Sequence, residues 1–347
     1  MRGVLLPGAG SRFVPIREID YRALRLLTQR AEEGSPLKRD LALRRLDKAW
    51  KQGRLGYPES EPTDWQWRMC EARMMLGCYD EWRGWEYRSE WSAGLWHNPQ
   101  GSWQGKYVDV LHVFGEQGIG DEVCFSQVLA DVKPLVGKIL LETDPRLVDV
   151  LGRSLGIETR SAEFRDGKRY FNRVEGAWIP LGDVLRRFRE RLSDFKRKPY
   201  LLPKPEEVWK WRAYKGRTGV SWRGAQGSYN WMTLSGLVEE PLSLQYDQGW
   251  DEDVAVPDGL DMRNDIEGLM GLLGNLDRVL TVSTSVAHFA AAMGVRVDLI
   301  LAPLNGIRKN LLPFKWHCEP MFGRTPWYGD NVRVFRDLDA YRNHRKD

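Results

Sequence analysis

The segment best equipped for chemistry is a glycine-rich turn that runs straight into two carboxylates, Gly115-Glu-Gln-Gly-Ile-Gly-Asp121 followed by Glu122. An apolar run over 107–114 precedes it and reads as a β-strand, and a helix-forming segment opens at Gly120-Asp121. Gly118 and Gly120 carry no Cβ and accept positive φ, so the backbone there can come close to a ligand. The following helix start presents unpaired N–H groups, with Asp121 and Glu122 in its first turn. The same residues also suit a plain strand-to-helix turn with an acidic cap.

A second segment repeats the plan. In Arg278-Val-Leu-Thr-Val-Ser-Thr-Ser-Val-Ala-His288, residues Ser283, Thr284 and Ser285 fall where a strand ends and a helix starts. Hydroxyls and free N–H groups at a helix start can hold an anion, with dipole stabilisation of about 0.3–1 kcal/mol per charge. Ser283 or Thr284 can equally serve only as the helix cap. His288 follows one turn in, where it would reach a bound phosphate or simply fill the core. Ala290-Ala-Ala292 and Gly294 are small enough to bring this helix close to its sheet.

Both segments need a frame. From residue 107 the chain alternates strand (107–114), helix (121–132), strand (138–142) and helix (145–155), with further strands at 157–160 and 178–181 and a helix over 181–195. This rhythm predicts a parallel sheet. Leu202-Pro-Lys-Pro205 reads as a stiff linker. A second series then follows, with strands at 218–222, 242–245, 278–282 and 297–301 and helices at 266–273 and 286–293. Two doubly wound domains of this kind place a ligand cleft at the facing C-terminal ends of their strands. Residues 19–91 read as helices instead, and Leu76-Gly-Cys-Tyr79 between two of them looks like one tetratricopeptide hairpin. The expected division is an α-helical, tetratricopeptide-like region over 1–103, one Rossmann-like domain over 104–203 and a second over 204–347.

Bulk properties narrow the classes. A chain of 347 residues exceeds what one core usually spans. A net charge of +4 is too mild to argue for nucleic acid by itself. Four cysteines show no CxxC pair and five histidines are scattered, so neither a zinc site nor a disulfide framework is expected. The longest apolar runs are too short to span a bilayer and the N-terminus lacks a full signal h-region, which leads us to expect a cytoplasmic protein. Tryptophan is the outlier, with 16 residues, half of them between Trp50 and Trp103. Such a cluster can stack on sugars or bases, although clustered tryptophans more often pack helices or a seam.

With both loops in view, the chain resembles the tetratricopeptide-associated, heptosyltransferase-like glycosyltransferases of GT-B architecture. Leu76-Gly-Cys-Tyr-Asp-Glu-Trp-Arg-Gly-Trp-Glu-Tyr-Arg88 is similar to the last helical hairpin, and Gly115 to Asp121 to the EQGxGD loop. Gly219-Val-Ser-Trp-Arg-Gly224 resembles the family's strand and turn, and Leu242-Ser-Leu-Gln245 its SLQ strand. Thr284-Ser-Val-Ala-His288 matches the T-x-x-x-H helix start. Thr325-Pro-Trp-Tyr328 with Val332-Arg-Val-Phe-Arg336 resembles the closing segment. Together the pieces run in the family's order over residues 65–336.

The resemblance implies an inverting transfer of a sugar from a nucleotide-sugar donor to a hydroxyl acceptor, with no metal and no other cofactor. Asp121 would be the general base and Glu116 the fallback. Trp222, Arg223, Gly224, Gln245, Ser283, Thr284, Ser285 and His288 would face the donor, while Gln117, Gly118 and Gly120 form the acceptor-side loop. The acceptor, a glycan, a protein or modified nucleic acid, is left open. Some positions depart from the pattern: Ser283 stands for an aspartate, Asn230-Trp231 for an Arg-Ser pair and Tyr246 for a lysine. Arg308, Lys309 and Lys315 could restore positive charge. Two other readings compete, a non-catalytic binding or scaffold protein and a transferase acting on nucleic acid through Arg186, Arg187, Arg189, Arg191 and residues 196–198.

Overall fold

In the computed structural model the described residues are 103–165, 168–170, 174–225, 227–246, 254–302, 314–318 and 321–345, with Arg44, residues 70–71 and 73–79, and Trp85. The tetratricopeptide-like region expected over 1–103 lies almost wholly outside them, as do Arg308 and Lys309.

The first sheet is parallel, in the order β3-β2-β1-β6, and is built from β1 (Val110–Phe114), β2 (Lys138–Thr143), β3 (Glu158–Ser161) and β6 (Ala177–Pro180). A small antiparallel hairpin, β4 (Glu163–Arg165) with β5 (Lys168–Tyr170), interrupts the path from β3 to β6. Helices α1 (Ile119–Ser126), α2 (Leu129–Val132), α3 (Val148–Leu155) and α4 (Leu181–Phe188) belong to this half. Its central strands are apolar along most of their length because both faces are covered, as parallel strands require.

The second sheet is also parallel, in the order β10-β7-β11-β12-β13. Chain order runs α5 (Pro205–Lys210), β7 (Thr218–Ser221), the hairpin β8 (Arg223–Gly224) with β9 (Gly227–Ser228), α6 (Trp231–Leu234), β10 (Pro241–Ser243) and α7 (Ile266–Leu273). It continues with β11 (Arg278–Thr281), α8 (Ser285–Met293), β12 (Arg296–Ile300), β13 (Val332–Phe335) and α9 (Leu338–His344). In the first sheet the order turns about β1 and in the second about β7. Loops leaving strand C-termini at such reversal points are where α/β sheets open a crevice.

One apolar cluster serves both halves. It runs from Val113, Val123 and Phe125 through Ala287, Ala290 and Ala291 to Val279 and Val297. Trp327 tightens it, with ring centroids 5.7 Å from Phe125 and 5.0 Å from Phe195. Polar ties join the halves as well, Arg153 Nη1 to Glu267 Oε1 at 2.6 Å and Arg146 Nη1 to the Arg263 carbonyl at 3.0 Å.

Several expectations change in detail. The helix expected over 121–132 starts earlier and breaks into α1 and α2, where Val128 N–H turns back to the Phe125 carbonyl at 3.1 Å and Gln127 Nε2 donates to the Cys124 carbonyl at 2.8 Å. The helix expected over 181–195 ends at Phe188 because Arg189 leaves the helical path and buries its guanidinium against Asp131, 2.8 Å away. Pro205 is not the end of a linker: it opens α5, where a helix start tolerates its missing N–H.

Of the basic cluster offered for nucleic acid, Arg189 turns inward while Arg187, Arg191 and residues 196–198 are exposed. Arg189 is 1% exposed, Lys196 leans towards the same Asp131 at 3.8 Å, and Arg187 donates to Gln104 Oε1 at 3.0 Å. Arg186 and Arg187 do line an open cavity of about 650 Å³, but Asp183 and Glu190 line it too. Described members of the tryptophan-rich stretch pack inward. Trp85 donates to the Gly182 carbonyl at 2.8 Å, and Trp103 lies parallel to Phe188 with centroids 6.3 Å apart. Among the described residues, no helix is long and apolar enough to cross a membrane.

Candidate functional site

The β1–α1 loop reaches its position by an unexpected route. Gln117, not a glycine, takes the left-handed backbone, with φ of 63°. Gly118 is extended, φ −97°, and is the N-cap of α1. What Gly120 supplies is room: a methyl group there would lie 2.9 Å from His288 Cδ2 and 3.2 Å from the Ser285 Cα. The starts of α1 and α8 therefore meet face to face. Gly224 does the same for the β7–β8 turn, where a methyl group would lie 2.5 Å from the Ser283 carbonyl oxygen.

Asp121 sits at the third position of α1. Its Oδ2 accepts from Gly118 N–H at 3.0 Å, and its Oδ1 accepts from the Lys315 ammonium. Burial alone would raise this carboxyl, but the charge and hydrogen bond of Lys315 outweigh burial and hold it below its ordinary value. Burial likewise pulls the Lys315 ammonium down, and Asp121 more than reverses that. The pair is ionised at neutral pH. A fifth of the Asp121 side chain, 20%, stays exposed.

The facing helix start is built around Thr284. This N-cap residue accepts from Ala287 N–H at 3.4 Å and lies 3.2 Å from the Thr281 hydroxyl. Ser283 Oγ accepts from Trp316 Nε1 at 2.9 Å. His288 is 5% exposed, shares a 2.7 Å hydrogen bond between its Nδ1 and the Tyr328 hydroxyl, and lies against the Trp316 ring at 4.4 Å between centroids. Burial, with Lys315 nearby, lowers its pKa to about 3. It is a neutral imidazole, so any part it played at a phosphate would be as a hydrogen-bonding group and not as a cation.

Other candidates do different work. Glu116 is 1% exposed and its Oε1 accepts from Gly182 N–H at 2.6 Å, so it satisfies the start of α4. Gln245 Oε1 accepts from Ser221 Oγ at 2.9 Å and from the backbone N–H groups of Trp222 and Arg223 at 2.8 Å each, fixing the end of β7. The Trp222 indole is buried against Trp231, with centroids 4.7 Å apart. The backbone of this turn comes close to the Ser283 segment at Gly224. Arg223 and Ser285 are half-buried there, and Gln117 and Gly118 are exposed on the α1 side. At the departures, Asn230 caps α6 by accepting from Met232 N–H at 3.0 Å, and Tyr246 is exposed.

The structure gives positions to three further residues: Trp316, Lys315, which was one of three candidate cations, and Glu122, which was one of two first-turn acids. Lys315 and Trp316, far along the chain, close the space between the two helix starts. Glu122, fully buried, ties the loop down: its Oε2 accepts from Thr143 Oγ1 at 2.5 Å and from Asp144 N–H at 3.2 Å, and its Oε1 is paired with Arg169. Burial raises the Glu122 carboxyl despite Arg169. An acid in the first turn of α1 was visible in the sequence; its partners on β2 and β5 were not.

These positions can be set beside known proteins. No family model matches the chain. Protein FlbA of Caulobacter vibrioides is 22% identical in an alignment 315 positions long that covers 76% of this chain. The chain spans about half, 52%, of that protein's length. Among solved structures, the glycosyl transferase family 9 protein of Veillonella parvula aligns with a TM-score of 0.46 at 12% identity, over 69% of this chain and 88% of that one. The ADP-heptose LPS heptosyltransferase II of E. coli aligns with a TM-score of 0.41 at 11% identity, over 66% of this chain and 90% of that one.

Proposed function

We propose that the chain is a glycosyltransferase of GT-B type, which moves a sugar from a nucleotide-sugar donor to a hydroxyl acceptor with inversion and without a metal. One observation carries the reading. Two helix starts, each following the C-terminal end of a parallel strand, meet with a carboxylate on one and hydroxyls on the other. The order of the motifs over residues 65–336 points the same way.

In this reading the acceptor lies on the α1 side. Its O–H bond breaks, the proton passes to Asp121, and the oxygen bonds to the anomeric carbon. The bond from that carbon to the diphosphate oxygen breaks at the same time, and its electron pair leaves with the nucleotide. Thr284, Ser285 and the first N–H groups of α8 are suited to the charge that develops there. Glu116 and Gln245, both engaged in holding loops, would act by positioning.

A thermal-shift panel of ADP, GDP, UDP and their sugar derivatives tests the reading. One nucleotide should raise the melting temperature, and its sugar derivative should release free nucleotide slowly even without acceptor. If every nucleotide leaves the melting temperature unchanged, the non-catalytic binding reading takes its place.

A further inference from the structure

We propose that Lys315 is an exchangeable cation: Asp121 holds it in the free protein, and the diphosphate of a bound nucleotide takes it over, leaving Asp121 Oδ1 open to the acceptor hydroxyl. The inference rests on the glycosyl-transfer reading and names the group that would link donor occupancy to the base.

Lys315 is an odd place to put a charge. Only 11% of its side chain is exposed, and its Nζ lies 5.2 Å from the Phe314 ring centre and 5.7 Å from that of Phe125. A buried ion pair gains little net stability, since desolvation offsets the attraction. The backbone beside it, in contrast, is fixed. Thr325 Oγ1 donates to the Lys315 carbonyl at 2.5 Å, and Trp316 is bonded to Ser283 and laid on His288. The anchor therefore sits at the start of α8, while the ammonium extends on a flexible four-carbon stem towards α1. Swinging that stem back moves the charge from the acceptor side to the donor side with no change in the fold.

Such a move would strengthen the base, because an ammonium bonded to Oδ1 takes up one of that oxygen's lone pairs and makes it a poorer proton acceptor. With Gly118 N–H on Oδ2 and Lys315 on Oδ1, both oxygens of Asp121 are engaged. Once Lys315 has gone to the diphosphate, Oδ1 can receive the acceptor's proton as that O–H bond breaks. The oxygen bonds to the anomeric carbon, and the electron pair of the broken carbon–oxygen bond leaves on the diphosphate, where Lys315 offsets the new charge.

Calorimetric titration of ADP, GDP and UDP, each beside its nucleoside, into wild type, Asp121→Asn and Lys315→Met tests this. The nucleotide that binds wild type should bind Asp121→Asn about threefold tighter or more, because Lys315 no longer leaves a carboxylate. It should bind Lys315→Met about tenfold weaker or more. Nucleoside affinity should be the same in all three. Equal diphosphate affinity in wild type and Asp121→Asn overturns the exchange even if Lys315→Met fails to fold, and leaves the glycosyl-transfer reading standing. No binding of any of the three nucleotides to wild type overturns both.

Discussion

Asp121 and Lys315 stand 194 residues apart in sequence and share one charge-assisted hydrogen bond between the two halves of the protein. Each favours the charged form of the other against burial, which pushes both towards neutrality. Asp121→Asn keeps the shape of the side chain and removes the proton acceptor. Transfer to acceptor should fall by about 10²–10⁴-fold while nucleotide binding persists. Nucleotide release in the presence of acceptor measures it, and an unimpaired variant would remove Asp121 as base.

Gly120→Ala tests the close approach of α1 to α8. Its methyl group would lie 2.9 Å from His288 Cδ2 and 3.2 Å from the Ser285 backbone, so the imidazole or one helix start must give way. We expect a loss of about 1–3 kcal/mol, typical of overpacking, read as a lower melting temperature. Unchanged stability would mean that the two helix starts are not in contact in solution.

His288 predicts a pH dependence. Its pKa falls from 6.5 to about 3 in the folded protein, so in that window the unfolded chain holds a proton that the folded one lacks. Stability is then full above pH 6.5 and declines as pH falls, by about 1.4 kcal/mol per pH unit from this group. Replacing His288 with Gln should flatten the stability curve between pH 6.5 and 5, as followed by denaturant unfolding. Parallel curves for the two proteins would show that the imidazole protonates freely when folded.

Gln245→Leu should strand three donors, the Ser221 hydroxyl and the N–H groups of Trp222 and Arg223. A buried donor left without a partner costs about 1–3 kcal/mol. Gln245→Glu keeps the acceptor, so it should retain more stability than the leucine variant. If the two variants melt together, Gln245 does not hold the turn.

How much of this could be read beforehand follows from where the determining interactions lie. β1, β2, β11 and β12 were legible because a strand covered on both faces must be apolar along its length. The hairpins β4–β5 and β8–β9 are only two or three residues per strand, too short for any period to register. Gly118 misled, because the turn strain is carried by Gln117 and the glycine needed for space is Gly120. Asp121 was visible as an acid at a helix start. Its partner could be suggested only as one of three cations in a loop, since no local spacing records a contact 194 residues away. Glu116 and Gln245 stood in matching motifs, yet their bonds to Gly182 N–H and to the β7 turn depend on the folded arrangement.

The apolar cluster that passes from Phe125 to Ala287 without a break also governs how the protein comes apart. A chain cut after residue 203 would leave Val123 and Phe125 without Ala287, Ala290 and Trp327, exposing apolar surface that these residues cover in the intact protein. Neither half should melt alone. Heat should take both sheets in a single cooperative transition, with secondary-structure and aromatic signals lost together.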